Sequence, residues 1–102
     1  MEYALAIDQG TSGSKALVFD SQGNTIVHAT APLQSFYRDE GFVEQDPQEI
    51  LDSVLHAISL AMDRFVDLGY ARSQIMTVGI SNQRESFLLW DSMGKPLSPV
   101  VV

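Results

Sequence analysis

The stretch from Asp46 to Gly69 constrains the fold of this chain more than any other part of it. Asp46 is a good N-cap residue, Pro47 suits the first helical position, and Glu49 follows three residues after the cap. Apolar residues then recur at Ile50, Leu51, Val54, Leu55, Ile58, Ala61, Met62, Phe65 and Val66, the spacing of a helical stripe. Gly69 provides the stop. The stretch predicts a helix from about Pro47 to Leu68, and the apolar runs around it read as strands. Tyr3–Asp8, Ser14–Asp20 and Thr25–Leu33 make three strands joined by short turns, one of them Ser21-Gln22-Gly23-Asn24, hence an antiparallel meander. Gln34–Gln45 is polar and reads as a loop. Ile75–Ile80 is a fourth strand and Phe87–Asp91 a fifth, followed by a Ser92-Met93-Gly94-Lys95 turn.

Strand, strand, strand, helix, strand is the order of a ribonuclease-H-like α/β unit with a mixed sheet. In that unit the crossover through the helix makes the fourth strand parallel to the first. A ferredoxin-like order would need a helix between the first two strands, where there is room only for a tight turn. The 102 residues suit one compact domain. The chain ends within the apolar run Val100–Val102 with no cap or polar tail, so it is expected to be cut short rather than finished.

Composition removes several classes of function. Thirteen acidic against six basic residues give a formal net charge of −7, which disfavours nucleic acid. No apolar run is long enough to span a membrane, and Met1-Glu2-Tyr3-Ala4 lacks the features of a signal peptide. With no cysteine there is no disulfide framework and no thiolate metal site. A cytoplasmic protein is expected, one that binds any phosphate locally, through backbone N–H groups and a few cations.

Residues 7–15, Ile-Asp-Gln-Gly-Thr-Ser-Gly-Ser-Lys, provide such a place. As a hairpin turn, Gln9–Gly13 has two glycines, Gly10 and Gly13, that permit positive φ and close approach of a ligand. Successive inward N–H groups would form an anion-binding nest, with hydroxyls from Thr11 and Ser12 and a charge from Lys15. Asp8, at the strand end, suits Mg²⁺ held largely through water, which reconciles an acid with an anion seat. The alternative is a plain hairpin turn with Asp8 as a local hydrogen-bond acceptor. Neither the Walker A spacing nor the dinucleotide fingerprint is present. A second polar cluster, Ser81-Asn82-Gln83-Arg84-Glu85-Ser86, pairs a donor-only guanidinium with an acceptor-only carboxylate, a combination that can bind polyol hydroxyls from both sides. Its alternative is a solvated loop with a weak ion pair.

Asp8-Gln9-Gly10-Thr11-Ser12, Gly41-Phe42-Val43-Glu44-Gln45-Asp46-Pro47 and Gly79-Ile80-Ser81-Asn82-Gln83-Arg84-Glu85, in that order, resemble the N-terminal portion of the FGGY carbohydrate kinases, the glycerol kinase branch most of all. Trp90-Asp91 and Gly94-Lys95-Pro96 extend the likeness over essentially the whole chain. The resemblance implies one half of an actin-like, two-domain ATPase architecture and transfer of the ATP γ-phosphoryl group to a polyol or sugar hydroxyl. It implies Mg²⁺ at Asp8, phosphates beside Gly10, Thr11, Ser12, Gly13 and Lys15, and substrate hydroxyls on Arg84 and Glu85. It also implies a catalytic aspartate and an adenine pocket beyond Val102, so the 102 residues alone are expected to be inactive and no residue among them is assigned as the catalytic base. The turn departs from the pattern: glycerol kinases typically have Thr-Thr-Ser-Ser-Arg where this chain has Thr11-Ser12-Gly13-Ser14-Lys15, closer to xylulokinases. Xylulokinases in turn usually have Gln-Met-His-Gly at Gln83–Ser86, so the substrate segment favours glycerol.

The rivals are a pentulose or other sugar kinase of the same family, a non-kinase actin-like ATPase, and an interaction domain. A homo-oligomeric full-length protein is compatible with any of them. His28 and His56 lack a neighbouring ligand partner in sequence, and Glu44 and Asp46 are explained by helix entry and capping. No Gly-x-Ser-x-Gly nucleophile elbow occurs.

Overall fold

The computed structural model describes residues 2–37, 43–83, 86 and 88–102. Three antiparallel strands, β1 (Tyr3–Gln9), β2 (Gly13–Phe19) and β3 (Thr25–Pro32), form the expected meander, and helix α1 (Pro47–Asp67) follows it. Between them lie two short strands, β4 (Phe36–Tyr37) and β5 (Val43–Gln45), within the stretch expected to be loop. After α1 a 3₁₀ turn at Arg72–Gln74 leads into β6 (Ile75–Asn82), and β7 (Val100–Val101) closes the chain. The main sheet has the order β3-β2-β1-β6, and β6 runs parallel to β1 with Leu5 opposite Val78 and Asp8 opposite Ser81. A smaller sheet, β4-β5-β7, stands beside it.

Of the expected fifth strand, Phe87 lies outside the described residues, and no strand forms over the described residues 88–91. Leu88, Leu89 and Asp91 lie outside any strand, and Trp90 makes a single antiparallel bridge to Pro96. Its backbone is held locally: Leu97 N–H donates to the Leu89 carbonyl at 2.7 Å, and Leu89 N–H to Ser98 Oγ at 3.0 Å. The apolar run has strand composition, but among the described residues its ladder stops at the Trp90–Pro96 bridge.

Helix α1 begins as its sequence requires. Asp46 accepts the Gln48 N–H at 2.9 Å, and Pro47 starts the first turn. It ends in a Schellman arrangement: Gly69, at φ +99°, donates to Val66 O at 2.9 Å and Tyr70 to Phe65 O at 3.3 Å. The face turned to the sheet is narrower and smaller than the apolar stripe suggests. Ser53, Ala57, Ala61 and Phe65 are buried, while Leu51 and Leu55 are half exposed. Small residues let the helix approach Ala16, Val18, Ala29 and Ala31 of β2 and β3 closely, and Val54, Ile58 and Met62 pack at the margins.

At the far end of the core Tyr3, Phe65 and Tyr70 meet ring to ring, with centroids 4.7–5.2 Å apart. Burial raises the Tyr3 hydroxyl above its ordinary pKa, with the hydrogen bond to Tyr70 adding to the rise. The aromatic cluster thus anchors the N-terminal end of β1. Its C-terminal end, with that of β6, is left for the site.

Candidate functional site

Parallel pairing carries β1 and β6 to the same edge of the sheet, Asp8 beside Ser81 and Gln9 beside Asn82. Ligands of open α/β sheets gather at such strand ends. A polar cleft of about 560 Å³ opens there, lined by Asp8, Gln9, Gly10, Thr11, Ser81, Asn82 and Gln83. The fold therefore brings the two polar clusters of the sequence together although more than 70 residues separate them. Arg84 and Glu85 follow Gln83 directly in sequence but lie outside the described residues.

Asp8 is exposed at the cleft, and Lys15 lies opposite it across the β1–β2 ladder, on the sheet face away from α1. The two form no salt bridge; the one ion pair among the described residues is Arg72–Asp63. Ser12, Gly13 and Lys15 do not line the cleft, whereas Asp8, Gly10 and Thr11 do.

The glycines of the turn act differently from the expectation of positive φ. Among the described residues the glycines with positive φ are Gly23, Gly69 and Gly94, not Gly10 or Gly13. A Cβ on Gly13 would stand 2.6 Å from the Ala31 carbonyl oxygen, so the glycine there admits the neighbouring strand β3. At Gly10 a Cβ would stand 3.3 Å from the Gly13 oxygen, across a turn closed by the Gly10 N–H to Gly13 O bond at 2.9 Å. Both glycines thus stand close to neighbouring backbone, at negative or extended φ rather than positive φ.

Three glutamines surround the turn, two of them buried. Gln45, fully buried at the end of β5, donates from Nε2 to the Thr11 carbonyl at 2.7 Å and to Ser35 Oγ at 2.9 Å. Its Oε1 accepts from Gln83 Nε2 at 3.1 Å, and Gln83 Nε2 also reaches Ser86 Oγ at 3.0 Å. Gln9, buried under the turn, donates to the Gly10 carbonyl at 2.8 Å and to Gln83 Oε1 at 3.4 Å. The Ser12 carbonyl accepts the Leu33 N–H at 3.1 Å. Gln45 carries no signal of this in sequence, where it closes a polar stretch before a helix cap. The only hint is that Gln9 and Gln83 stand, like it, at the ends of strands.

Cation fit follows from the donor set. Among the described residues no group of three His, Cys, Asp or Glu side chains could hold a metal ion, and Asp8 is the only carboxylate lining the cleft. Such a site suits Mg²⁺, which keeps several waters and takes one or two carboxylates together with substrate phosphates. No helix among the described residues is long and apolar enough to cross a membrane.

Comparison with known proteins gives a consistent result. Residues 3–102 match the FGGY family of carbohydrate kinases, N-terminal domain. The chain is 43% identical over 103 residues to a glycerol kinase of Citrifermentans bemidjiense, covering 100% of this chain and 20% of that protein. It is 41% identical to a glycerol kinase of Petrotoga mobilis over 99% of its length, again 20% of the relative. Among solved structures it superposes on a Plasmodium falciparum glycerol kinase with ADP at a TM-score of 0.87 and 28% identity, over 100% of this chain and 20% of that one. A xyloylose kinase from Brucella ovis gives 0.89 and 29%, over 99% of this chain and 20% of that one. The chain thus spans about 20% of the length of the curated relatives it matches.

Proposed function

The chain belongs to the FGGY family of carbohydrate kinases, and we propose that the protein transfers the γ-phosphoryl group of ATP to a hydroxyl of a polyol, glycerol being the acceptor and glycerol 3-phosphate the product. The observation that carries this reading is the shared cleft. Parallel β1 and β6 bring Asp8, Gln9, Gly10 and Thr11 into one cleft with Ser81–Gln83, which in sequence immediately precede Arg84 and Glu85. Glycerol kinases among the relatives support the choice of acceptor.

The roles follow from residue chemistry. Thr11 and Ser12 offer backbone N–H groups and hydroxyls to the phosphates, and Lys15 adds a positive charge near Asp8. Asp8 would hold Mg²⁺ through its single carboxylate, and the ion would neutralise charge on the phosphate oxygens. Arg84 donates to the acceptor's hydroxyls and Glu85 accepts from them, which orients the polyol. Asp8 is the one carboxylate in the cleft among the described residues and is taken by the cation, so residues 1–102 alone should show no turnover. A cytoplasmic location belongs to the same reading, supported by the absence of cysteine.

A second acceptor class has a specific feature in its favour. Thr11-Ser12-Gly13-Ser14-Lys15 is closer to the xylulokinase form of the turn, and the Brucella ovis structure is a near neighbour of the fold. Arg84-Glu85 argues against it.

The test is a panel of polyols and sugars given to the protein expressed from its complete reading frame, followed by steady-state kinetics of Arg84→Ala and Glu85→Ala. Glycerol is expected to be phosphorylated with the highest kcat/KM. Each substitution should lower kcat/KM for the acceptor by about ten- to a hundredfold, the cost of leaving polar groups unmatched in a closed cleft, with nucleotide affinity retained. Wild-type kcat/KM in both variants would overturn the substrate assignment.

A further inference from the structure

The amide hydrogen bonds around the turn run in one direction, and that direction is fixed by the groups at its two ends. A carbonyl only accepts, so the Thr11 oxygen requires the donor end of Gln45, and the Gly10 oxygen requires the donor end of Gln9. Gln45 therefore turns its oxygen to Gln83, which must donate to it, and Gln83 turns its own oxygen to Gln9. The relay starts on one carbonyl of the turn and returns to the adjacent one.

In a trans peptide the carbonyl and the following N–H point to opposite sides of the same plane, and the described chain has no cis peptide bond. Fixing the Gly10 oxygen inward therefore sets the Thr11 N–H outward, and fixing the Thr11 oxygen inward does the same for the Ser12 N–H. Neither of these N–H groups donates to any acceptor among the described residues. We infer that the Gln9–Gln83–Gln45 relay is a positioning device: it orients the two backbone donors that receive the nucleotide phosphates and ties them to the segment that leads into Arg84 and Glu85. This inference rests on the reading of the turn as the phosphate seat.

Three side chains serving one geometry should not act independently. Once one link is removed the peptide planes can rotate, and removing a second adds little. The same glutamines acting only as buried filler would give losses that multiply. The measurement is calorimetric titration of MgADP into the protein expressed from its complete reading frame, as wild type, Gln9→Met, Gln45→Met and the double variant. Methionine keeps the volume and removes the amide. Each single substitution should weaken MgADP by about tenfold, and the double variant should lie within about twofold of the weaker single. Ser53→Ala is the control. It breaks a buried hydroxyl pair at 2.9 Å between Ser53 of α1 and Ser14 of β2, and should lower the Tm without changing MgADP affinity. If Gln45→Met does not fold, Gln9→Met with Gln83→Met makes the same cycle, because Gln83 is only partly buried.

Single variants within about twofold of wild type, or losses that multiply in the double variant, would overturn the relay. Wild-type protein that binds no MgADP would overturn the relay and the functional reading together. Protein that binds MgADP and phosphorylates no polyol or sugar would overturn the functional reading alone, with the relay then judged by the titration.

Discussion

Two kinds of turn occur in this chain, and they treat their backbone donors in opposite ways. In Asp20–Asn24 the aspartate turns inward. Its Oδ1 accepts the N–H groups of Gln22 and Asn24, both at 2.9 Å, and its Oδ2 the Asn24 side-chain amide at 3.1 Å. Asp91–Lys95 repeats the device: Oδ1 accepts the N–H groups of Met93 at 2.9 Å and Lys95 at 2.8 Å. Each has its glycine at positive φ in the same place, Gly23 at +84° and Gly94 at +83°. These turns spend their donors on their own carboxylate. In Gln9–Gly13 the acid, Asp8, stays out of the turn, and two glutamine amides take up carbonyls instead, Gln9 that of Gly10 and Gln45 that of Thr11. The N–H groups of Thr11 and Ser12 are left without an acceptor among the described residues. A turn that satisfies its own N–H groups can only shape the chain, whereas one whose carbonyls are satisfied from behind can also receive an anion.

The largest effect should come from the acid that stands outside the open turn. Asp8→Ala should lower Mg²⁺-dependent kcat by on the order of a hundredfold or more, with little change in KM for the polyol. Asp20→Ala and Asp91→Ala, chemically the same substitution in the closed turns, should leave kcat unchanged. Kinetics with ATP and glycerol varied separately make the comparison.

Next is Gly13→Ala. The added methyl would fall 2.6 Å from the Ala31 oxygen, and backbone on both sides must shift to admit it. A loss of about 1–3 kcal/mol in unfolding free energy is expected, measured by urea titration. Gly94→Ala should destabilise less, by about 1–2 kcal/mol, because the penalty there is the left-handed backbone alone and the space around it is open. Nucleotide affinity should not follow that loss.

The smallest effect concerns pH. The N–H groups of Asn24 and Gln22 hold the Asp20 carboxyl below its ordinary pKa, the Asn24 backbone bond contributing most. A carboxylate with a lowered folded pKa stabilises the fold above its unfolded pKa, and that contribution is lost as pH falls through the folded value. Thermal unfolding of Asp20→Asn against wild type should show a difference near neutral pH that shrinks in acid.

Much of this comparison was open to sequence reading, and the missing part has a physical cause. The meander, α1 with its Asp46 cap and Gly69 stop, and the parallel return of β6 follow from local patterns of apolar spacing and turn chemistry. Asp8, the Gln9–Gly13 turn and the Ser81–Ser86 segment were legible as polar clusters, whereas the cleft shared by Asp8–Thr11 and Ser81–Gln83 emerges only in the folded sheet. The Leu88–Trp90 run misled because strand composition says nothing about whether a partner strand is at hand. Positive φ at Gly10 and Gly13 was a wrong expectation, because crowding by neighbouring backbone at these positions shows only in the packed chain. Gln45 was missed for the same reason. A buried amide at the end of a three-residue strand looks like any polar loop residue until the turn it supports is folded against it.

The central claim is that the open turn receives phosphate through the N–H groups of Thr11 and Ser12 while the closed turns do not. Amide NMR of protein labelled with ¹⁵N at Thr, Ser, Asn and Lys, titrated with MgADP, tests it most directly. The Thr11 and Ser12 amide resonances are predicted to shift strongly and saturably, with those of Asn24 and Lys95 unmoved. Saturation of binding without a shift at Thr11 and Ser12, or with equal shifts in all three turns, would contradict the account.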